Sequence, residues 1–189
     1  LIACDATGAT HRIPLAAAAE QTAPERMAVF EGRLYLLDPP AGQIWRLQPE
    51  GGGYPHPPDP YFAVEPPPLA SVRDLAIDGS VYLLLADGTV LKYYEGRPEP
   101  FGLTDVPSPS PTFVALTVNP KWSDGPVILA DGPGGRLLVV APDGAFLFQM
   151  RGRGDVLRPL QAAAIEPTTA RLFTLAEGRL YALSEEVLP

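Results

Sequence analysis

The 189 residues hold one cysteine, Cys4, two histidines, His11 and His56, and one asparagine, Asn119. A lone thiol excludes an internal disulfide and a cysteine-rich zinc centre. Two histidines exclude most imidazole-based metal centres. Lysine is also scarce. Lys92 and Lys121 are two of only 14 basic residues, against 22 acidic ones, for a net charge of −8 and a pI near 4.7. Nucleic-acid binding rests on neutralising phosphates with Lys and Arg, so this balance argues against a nucleic-acid partner. Long apolar runs are missing as well. Leu15 to Ala19 falls far short of the roughly 18 or more residues of a membrane span, so no membrane insertion is expected in this segment. No G-x-S-x-G elbow, H-E-x-x-H, P-loop or dinucleotide fingerprint occurs. Gly132-Pro133-Gly134-Gly135 joins two strand-like runs and precedes no helix, which makes it a hairpin loop rather than a phosphate cradle. No catalytic residue, metal ligand or cofactor is assigned.

What is abundant is punctuation. Proline at 24 and glycine at 18 exceed a fifth of the chain, which suits many short strands and not long helices. Hydrophobic residues at 46% and charged residues at 19% mark a globular domain with a core. Because the chain opens on Leu1, it is expected to be part of a larger protein, and its compartment is unknown.

Self-similarity is the strongest signal. Four segments repeat an apolar run, an acid or amide turn, a second apolar run, a Gly-containing turn and a third apolar run. They span 27–48, 75–94, 116–144 and 163–184. Equivalent positions are Leu34, Val81, Val127 and Leu172, spaced by 47, 46 and 45 residues. Each unit reads as strands a, b and c, with a less regular strand d at Tyr61 to Val64, Pro100 to Leu103 and Ala145 to Gln149. Asp-Gly pairs such as Asp87-Gly88 predict type I′ hairpin turns. A period near 45 with three or four short strands per unit is that of a propeller blade.

The fold expected is therefore an all-β propeller of about four blades in one domain, residues 1–189. Residues 1–24 form a partial blade or closing strand, and blades follow at 25–69, 70–110, 111–158 and 159–189, the last without its outer strand. Leu1 to Leu15 resembles RLLVVAPDGAFLFQM and reads as strands c and d of an unfinished blade. Pairing of Thr10 to Leu15 with Arg179 to Ser184 would close a four-blade ring. The other reading is the C-terminal part of a larger ring, which would self-associate if incomplete.

The order in Asp124 to Gln149, and the first half of it in Leu75 to Tyr94, resembles NHL-type six-bladed repeats. Nearly the whole chain resembles the C-terminal repeats of uncharacterised, Chloroflexi-like bacterial proteins, some of which carry a metal-dependent serine/threonine phosphatase domain elsewhere. No phosphatase residue carries over. Similar six-bladed propellers include gluconolactonases and strictosidine-synthase-like enzymes. That likeness implies a divalent ion held by Glu, Asn and Asp, for which this chain offers the single Asn119.

Candidate site residues are few. Met27, Asp74, Ala115 and Ala162 fall at one position of strand a, and only Asp74 is ionisable, with Arg73 beside it. They read as a site or as a local ionic or hydrogen-bonded pair. Glu31, Asp78, Asn119 and Glu166 align in the a–b turns, and Asp38, Asp87, Asp131 and Glu177 in the b–c turns. Oxygen ligands in register suit Ca²⁺, but such residues also serve turns for backbone reasons. Trp122 lies in the long insertion NPKWSDG and either binds a ligand or caps a neighbouring blade. Trp45, mid-strand in QIWRL, is expected to pack between blades. Arg151 and Arg153 form a basic loop patch that could take an acidic or phosphate group. Cys4 is expected to be a small buried thiol. Tyr54 and Tyr61 flank a Pro-rich loop around His56 and could anchor a partner.

The function expected is a non-enzymatic binding or sensing module that presents loops to a protein or small-molecule ligand. The alternatives are a metal-dependent lactonase-type hydrolase and a structural spacer or assembly domain.

Overall fold

The computed structural model describes residues 1–5 and 7–183, and it is almost entirely β. The strands of each repeat run antiparallel in sequence order, so each repeat is a four- or three-stranded meander. The fold is a β-propeller, and each meander is a blade. The chain divides into two compact units, residues 1–70 and 71–189.

The first unit opens on a two-stranded hairpin, β1 (Ile2–Cys4) and β2 (Thr10–Arg12), followed by a single helical turn, α1 (Ala17–Glu20). Its blade comprises β3 (Arg26–Phe30), β4 (Arg33–Asp38), β5 (Gln43–Leu47) and the two-residue β6 (Asp59–Pro60). Its core joins Leu34, Leu36, Leu47 and Tyr54 with Ala19 of α1.

The second unit holds three blades. The first of these is β7 (Val72–Ile77), β8 (Val81–Leu85), β9 (Val90–Tyr94) and β10 (Arg97–Glu99). The next is β11 (Phe113–Thr117), β12 (Val127–Asp131), β13 (Arg136–Val140) and β14 (Phe146–Arg151). The last is β15 (Leu160–Ile165), β16 (Leu172–Ala176) and β17 (Arg179–Ala182), three-stranded among the described residues. Ser184, the end of the expected closing strand, lies outside them.

Burial explains why β12 and β13 read as unbroken apolar runs. Side chains alternate between the faces of a strand. Leu129, Leu138 and Val140 face the β7–β10 blade with Tyr82, Leu84 and Phe101. Ile128, Ala130, Leu137 and Val139 face the β15–β17 blade with Leu160 and Leu172. A strand buried on both faces has no polar alternation to show.

Two expectations change. The outer strands form at β6, β10 and β14, earlier than or offset from the runs read as strand d. Between β9 and β10 the cause is Glu95-Gly96, both at positive φ, which turns the chain in two residues and pairs Tyr94 with Arg97. The same geometry occurs at Glu31-Gly32 and Glu177-Gly178, so Glu-Gly pairs make these tight turns. In Asp78-Gly79, Asp87-Gly88 and Asp143-Gly144 only the glycine has positive φ. There the Asp carboxylate instead accepts the N–H two residues on, from Ser80, Thr89 and Ala145.

Candidate functional site

Three neighbouring segments of the second unit surround a polar pocket of about 230 Å³ lined by Asp78, Ser80, Tyr94, Glu99, Ser123 and Asp124. Strand register sets a charged row behind its Glu99 wall. Lys92 in β9 lies opposite Tyr82 in β8 on one side and Glu99 in β10 on the other. Residues directly opposite share a face, so Tyr82, Lys92 and Glu99 form one cross-strand row. The Lys92 Nζ stands 5.7 Å from the Tyr82 ring centroid, a cation–π contact. It donates to the Pro142 carbonyl at 3.4 Å. It lies 3.7 Å from both Glu99 Oε2 and Asp124 Oδ1, beyond direct hydrogen bonding.

Lys92 is only 7% exposed, so its cation is held by these neighbours and not by water. Asp124 reaches the pocket from the β11–β12 loop, which turns sharply there at a φ of 54°.

Asp78 closes the arrangement from the β7–β8 turn. Its Oδ1 accepts the Ser80 N–H at 3.1 Å, and the Tyr82 hydroxyl donates to Oδ2 at 3.5 Å. Burial pushes the Asp78 carboxyl up to about 6, against the opposing pull of the Ser80 N–H and Lys92. The Tyr82 phenol is pushed up by burial and, secondarily, by the Asp78 charge.

The raised carboxyl carries a signed consequence. The folded state binds this proton more tightly than the unfolded chain, so stability falls as pH rises from about 4 to about 6. Asp78→Asn removes that charge and keeps an acceptor for Ser80. It is expected to stabilise the fold by about 1–2 kcal/mol at pH 7.5, with the gain vanishing near pH 4. Urea unfolding of both proteins at the two pH values reads it. A gain of equal size at both would locate the effect elsewhere.

The residues singled out from the sequence are not brought together. Asp74 Oδ2 accepts the Leu116 N–H at 2.9 Å, and Arg73 donates to the Phe113 carbonyl at 3.1 Å. Both therefore link β7 to β11, at the bulge between Val72 and Asp74. Trp122 is half-buried. Its N–H donates to the Asn119 carbonyl, and its own carbonyl accepts the Gly125 N–H. It thus shapes the loop that delivers Ser123 and Asp124. Arg151 ends β14 and Arg153 begins a 3₁₀ turn, both exposed.

The turn acids serve their own turns. Asn119 Oδ1 accepts the Lys121 N–H, and Glu166 accepts those of Thr168 and Thr169. These bonds, first that of the Thr169 hydroxyl, hold the Glu166 carboxyl down at about 2. Glu31 reaches Arg33, and Asp38 accepts the N–H groups of Ala23, Ala41 and the Trp45 indole. Among the described residues no three His, Cys, Asp or Glu side chains are placed to hold one metal ion.

Two further expectations are corrected. Cys4 is exposed, its sheet having two strands among the described residues. Tyr54 and Tyr61 are buried rather than offered to a partner. Tyr54 donates to the Gly32 carbonyl, and Tyr61 stacks edge-on with Tyr35 and Phe62.

Lys92, Glu99 and Asp124 were not singled out by their pattern. The available signal was Lys92 itself, one of two lysines, standing mid-strand in TVLKYY between residues destined for burial.

The sheets define a β-propeller with a small polar pocket between adjacent blades. No known sequence family matches the chain, and no curated protein matches it. Among solved structures it is similar to a streptogramin B lyase, at 13% identity over 95% of this chain and 56% of that one, TM-score 0.56. It is similar to a gluconolactonase from Xanthomonas campestris, at 21% identity over 100% of this chain and 65% of that one, TM-score 0.56. It is also similar to the WD40 propeller domain of Doa1, at 14% identity over 85% of this chain and 49% of that one, TM-score 0.53. The chain spans less than two thirds of each of these. Identities this low carry the fold and no activity.

Proposed function

We propose that this propeller is a binding or sensing module and that the pocket over Lys92 takes a small hydroxyl-rich ligand. The observation that supports this most directly is the buried Lys92 ammonium, shared at 3.7 Å between Glu99 and Asp124. Those gaps leave polar groups that a ligand can bridge. The lining combines acceptors on Asp78, Glu99 and Asp124 with hydroxyl donors on Ser80, Ser123 and Tyr94, and the Lys92 ammonium lies behind Glu99 and Asp124. A hydroxyl group both donates and accepts, so it matches a mixed set that a pure cation or anion would match only in part. At about 230 Å³ the space suits a compact molecule of monosaccharide size or smaller. The propeller repeat itself fits a module of this kind.

A lactonase-type hydrolase is the second reading, favoured by the Asp78 carboxyl in the pocket lining, which burial pushes up to about 6, toward the range of a proton-transferring group. The metal that such enzymes use does not fit the described residues, no three of whose His, Cys, Asp or Glu side chains converge. A spacer or assembly role leaves the pocket without a ligand.

One titration separates the readings. Neutral monosaccharides and sugar lactones are added while Trp122 fluorescence and heat are followed, and lactone opening is assayed in parallel. Saturable binding without turnover is expected, weakened about tenfold or more by Lys92→Met. Turnover lost in Asp78→Asn would favour the hydrolase. Binding indifferent to Lys92→Met and Glu99→Gln would remove the pocket from consideration.

A further inference from the structure

The polar pocket carries one side chain that its charges and hydroxyls do not account for. Tyr94 lines it from the end of β9. Its side chain is 49% exposed, while every other tyrosine, phenylalanine and tryptophan among the described residues is buried or half-buried. A single exposed apolar side chain signals nothing by itself. Here the one exposed ring coincides with the polar pocket.

Register fixes where that ring stands. Tyr94 lies two residues beyond Lys92, so both project from the same face of β9. Lys92 stands between Tyr82 and Glu99, and Tyr94 stands opposite Arg97. The Glu95-Gly96 turn, with both residues at positive φ, holds that last pair at the tip of the hairpin. The two rows run side by side, which sets an aromatic face next to Glu99. Asp78 and Ser80 line the same pocket from the β7–β8 turn, and Ser123 and Asp124 from the β11–β12 loop. Tyr82, on the same face, shows the contrast. Its ring meets Phe101 edge-on at 6.0 Å and the Lys92 Nζ at 5.7 Å. No ring or cation covers Tyr94 among the described residues.

An aromatic face beside carboxylates and hydroxyls selects one shape of hydroxyl-rich molecule. An open-chain polyol is polar all round and has no flat apolar face to offer a ring. A pyranose has hydroxyls round its rim and C–H bonds on its two faces. It can bury C–H surface on a tyrosine while its rim hydroxyls donate to carboxylates and accept from serines. Ordering the ring costs little, since a tyrosine has two side-chain torsions and this one sits on a paired strand.

We infer that Tyr94 is a stacking platform and that the ligand of this pocket is a pyranose, laid with one C–H face on the Tyr94 ring and its hydroxyl rim toward Asp78, Glu99 and Asp124. The inference rests on the reading of the pocket as a hydroxyl site, and it narrows that reading from hydroxyl-rich molecules in general to ring sugars with an open face. Tyr94 is then a specificity-determining residue.

The probes are methyl β-D-glucopyranoside, whose ring cannot open, and glucitol, its open-chain counterpart. Each is titrated into the unsubstituted protein, Tyr94→Leu and Tyr94→Phe, and followed by heat and by proton NMR of the ligand. The glucoside is expected to bind the unsubstituted protein, to bind Tyr94→Leu about tenfold more weakly, and to bind Tyr94→Phe within about twofold of the original. The axial C–H bonds of this sugar point alternately to its two faces. Protons of one face are expected to shift upfield under the ring while those of the other stay, and the difference is expected to vanish in Tyr94→Leu. Because Tyr94 is exposed, the three proteins are expected to melt together, which separates a lost platform from a lost fold. Glucoside binding that is indifferent to Tyr94→Leu, or that shifts both faces alike, overturns the inference and leaves the pocket reading standing. Binding of glucitol without the glucoside does the same. Binding of neither overturns both.

Discussion

Asp131→Ala is expected to destabilise the second unit by about 3–5 kcal/mol, the cost of leaving one half of a buried ion pair without the other. Arg136 is fully buried, at 0% exposure, and Asp131 is 2% exposed. The Arg136 Nε donates to Asp131 Oδ2 at 2.7 Å, one terminal nitrogen donates to Gln149 Oε1 at 3.1 Å, and the other meets the Pro109 carbonyl. Asp131 Oδ1 accepts the N–H groups of Thr112 and Gly134, each at 3.1 Å. One carboxylate therefore closes the β12–β13 turn, ties down the approach to β11 and neutralises a guanidinium with no access to water. Small domains hold about 5–15 kcal/mol in all, so this single change removes a large share.

The partition of that loss can be read separately. Asp131→Leu with Arg136→Met removes both charges and fills the space, and is expected to recover part of the stability. The remainder measures the groups the pair leaves without partners, the Thr112 and Gly134 N–H groups together with the Pro109 carbonyl and Gln149 Oε1, about 1–3 kcal/mol for each that is buried. Asp87 occupies the equivalent turn but is exposed and accepts only from Thr89. Asp87→Ala is expected to cost below about 1 kcal/mol. Denaturant unfolding of the four proteins reads the series, and equal losses at Asp87 and Asp131 would contradict the account.

The contrast between those two aspartates shows where sequence stops. Both stand in the same b–c turn of the repeat, and pattern alone gives them one role. What separates them is whether the next strand begins with a long donor. Arg136 and Trp45 reach back to Asp131 and Asp38, whereas Val90 offers nothing to Asp87. The period of 45–47 residues was legible because inner strands buried on both faces keep their apolar runs whatever their neighbours. The outer strands were not, because an edge strand pairs on one side only and can start wherever a turn allows. Glu95-Gly96 allowed it at once.

The pocket was legible only in fragments. NPKWSDG stood out as an insertion, and it does supply Ser123 and Asp124. Asp78 stood out as a turn residue. Lys92 joins them through cross-strand register with Tyr82 and Glu99, and register is a property of pairs of strands that no single strand displays. Arg73 and Asp74 were conspicuous for the opposite reason. They are charges on an inner strand, and their partners include backbone groups of β11, which carry no mark in a sequence.

Gly144→Ala is expected to be strongly destabilising to the second unit. Gly144 has a φ of 98°, which side chains rarely adopt. A Cβ there would stand 2.5 Å from the Gly102 carbonyl oxygen, 2.7 Å from its carbon and 2.9 Å from its nitrogen. These are backbone atoms and cannot swing aside. The contact belongs to a small junction in which Gly102 N–H donates to the Asp143 carbonyl, Thr104 N–H to that of Gly144, and Phe146 N–H to that of Thr104. It fastens the segment after β10 onto the β13–β14 turn and brings Phe101 against Tyr82 at 6.0 Å. Two costs combine, the φ penalty and the loss of this junction, so a destabilisation of about 3 kcal/mol or more is expected. The loss should be directional. Amide exchange at Gly102 and Thr104 is expected to rise well before that of Leu138, deep in the same blade. Because Tyr82 also lies over Lys92, the variant is expected to loosen the charged row behind the pocket and weaken ligand binding there. Gly51→Ala, with a φ of 59° but no atom within 4 Å of the added Cβ, isolates the φ penalty alone. Matching losses at the two glycines would show that the junction contributes nothing.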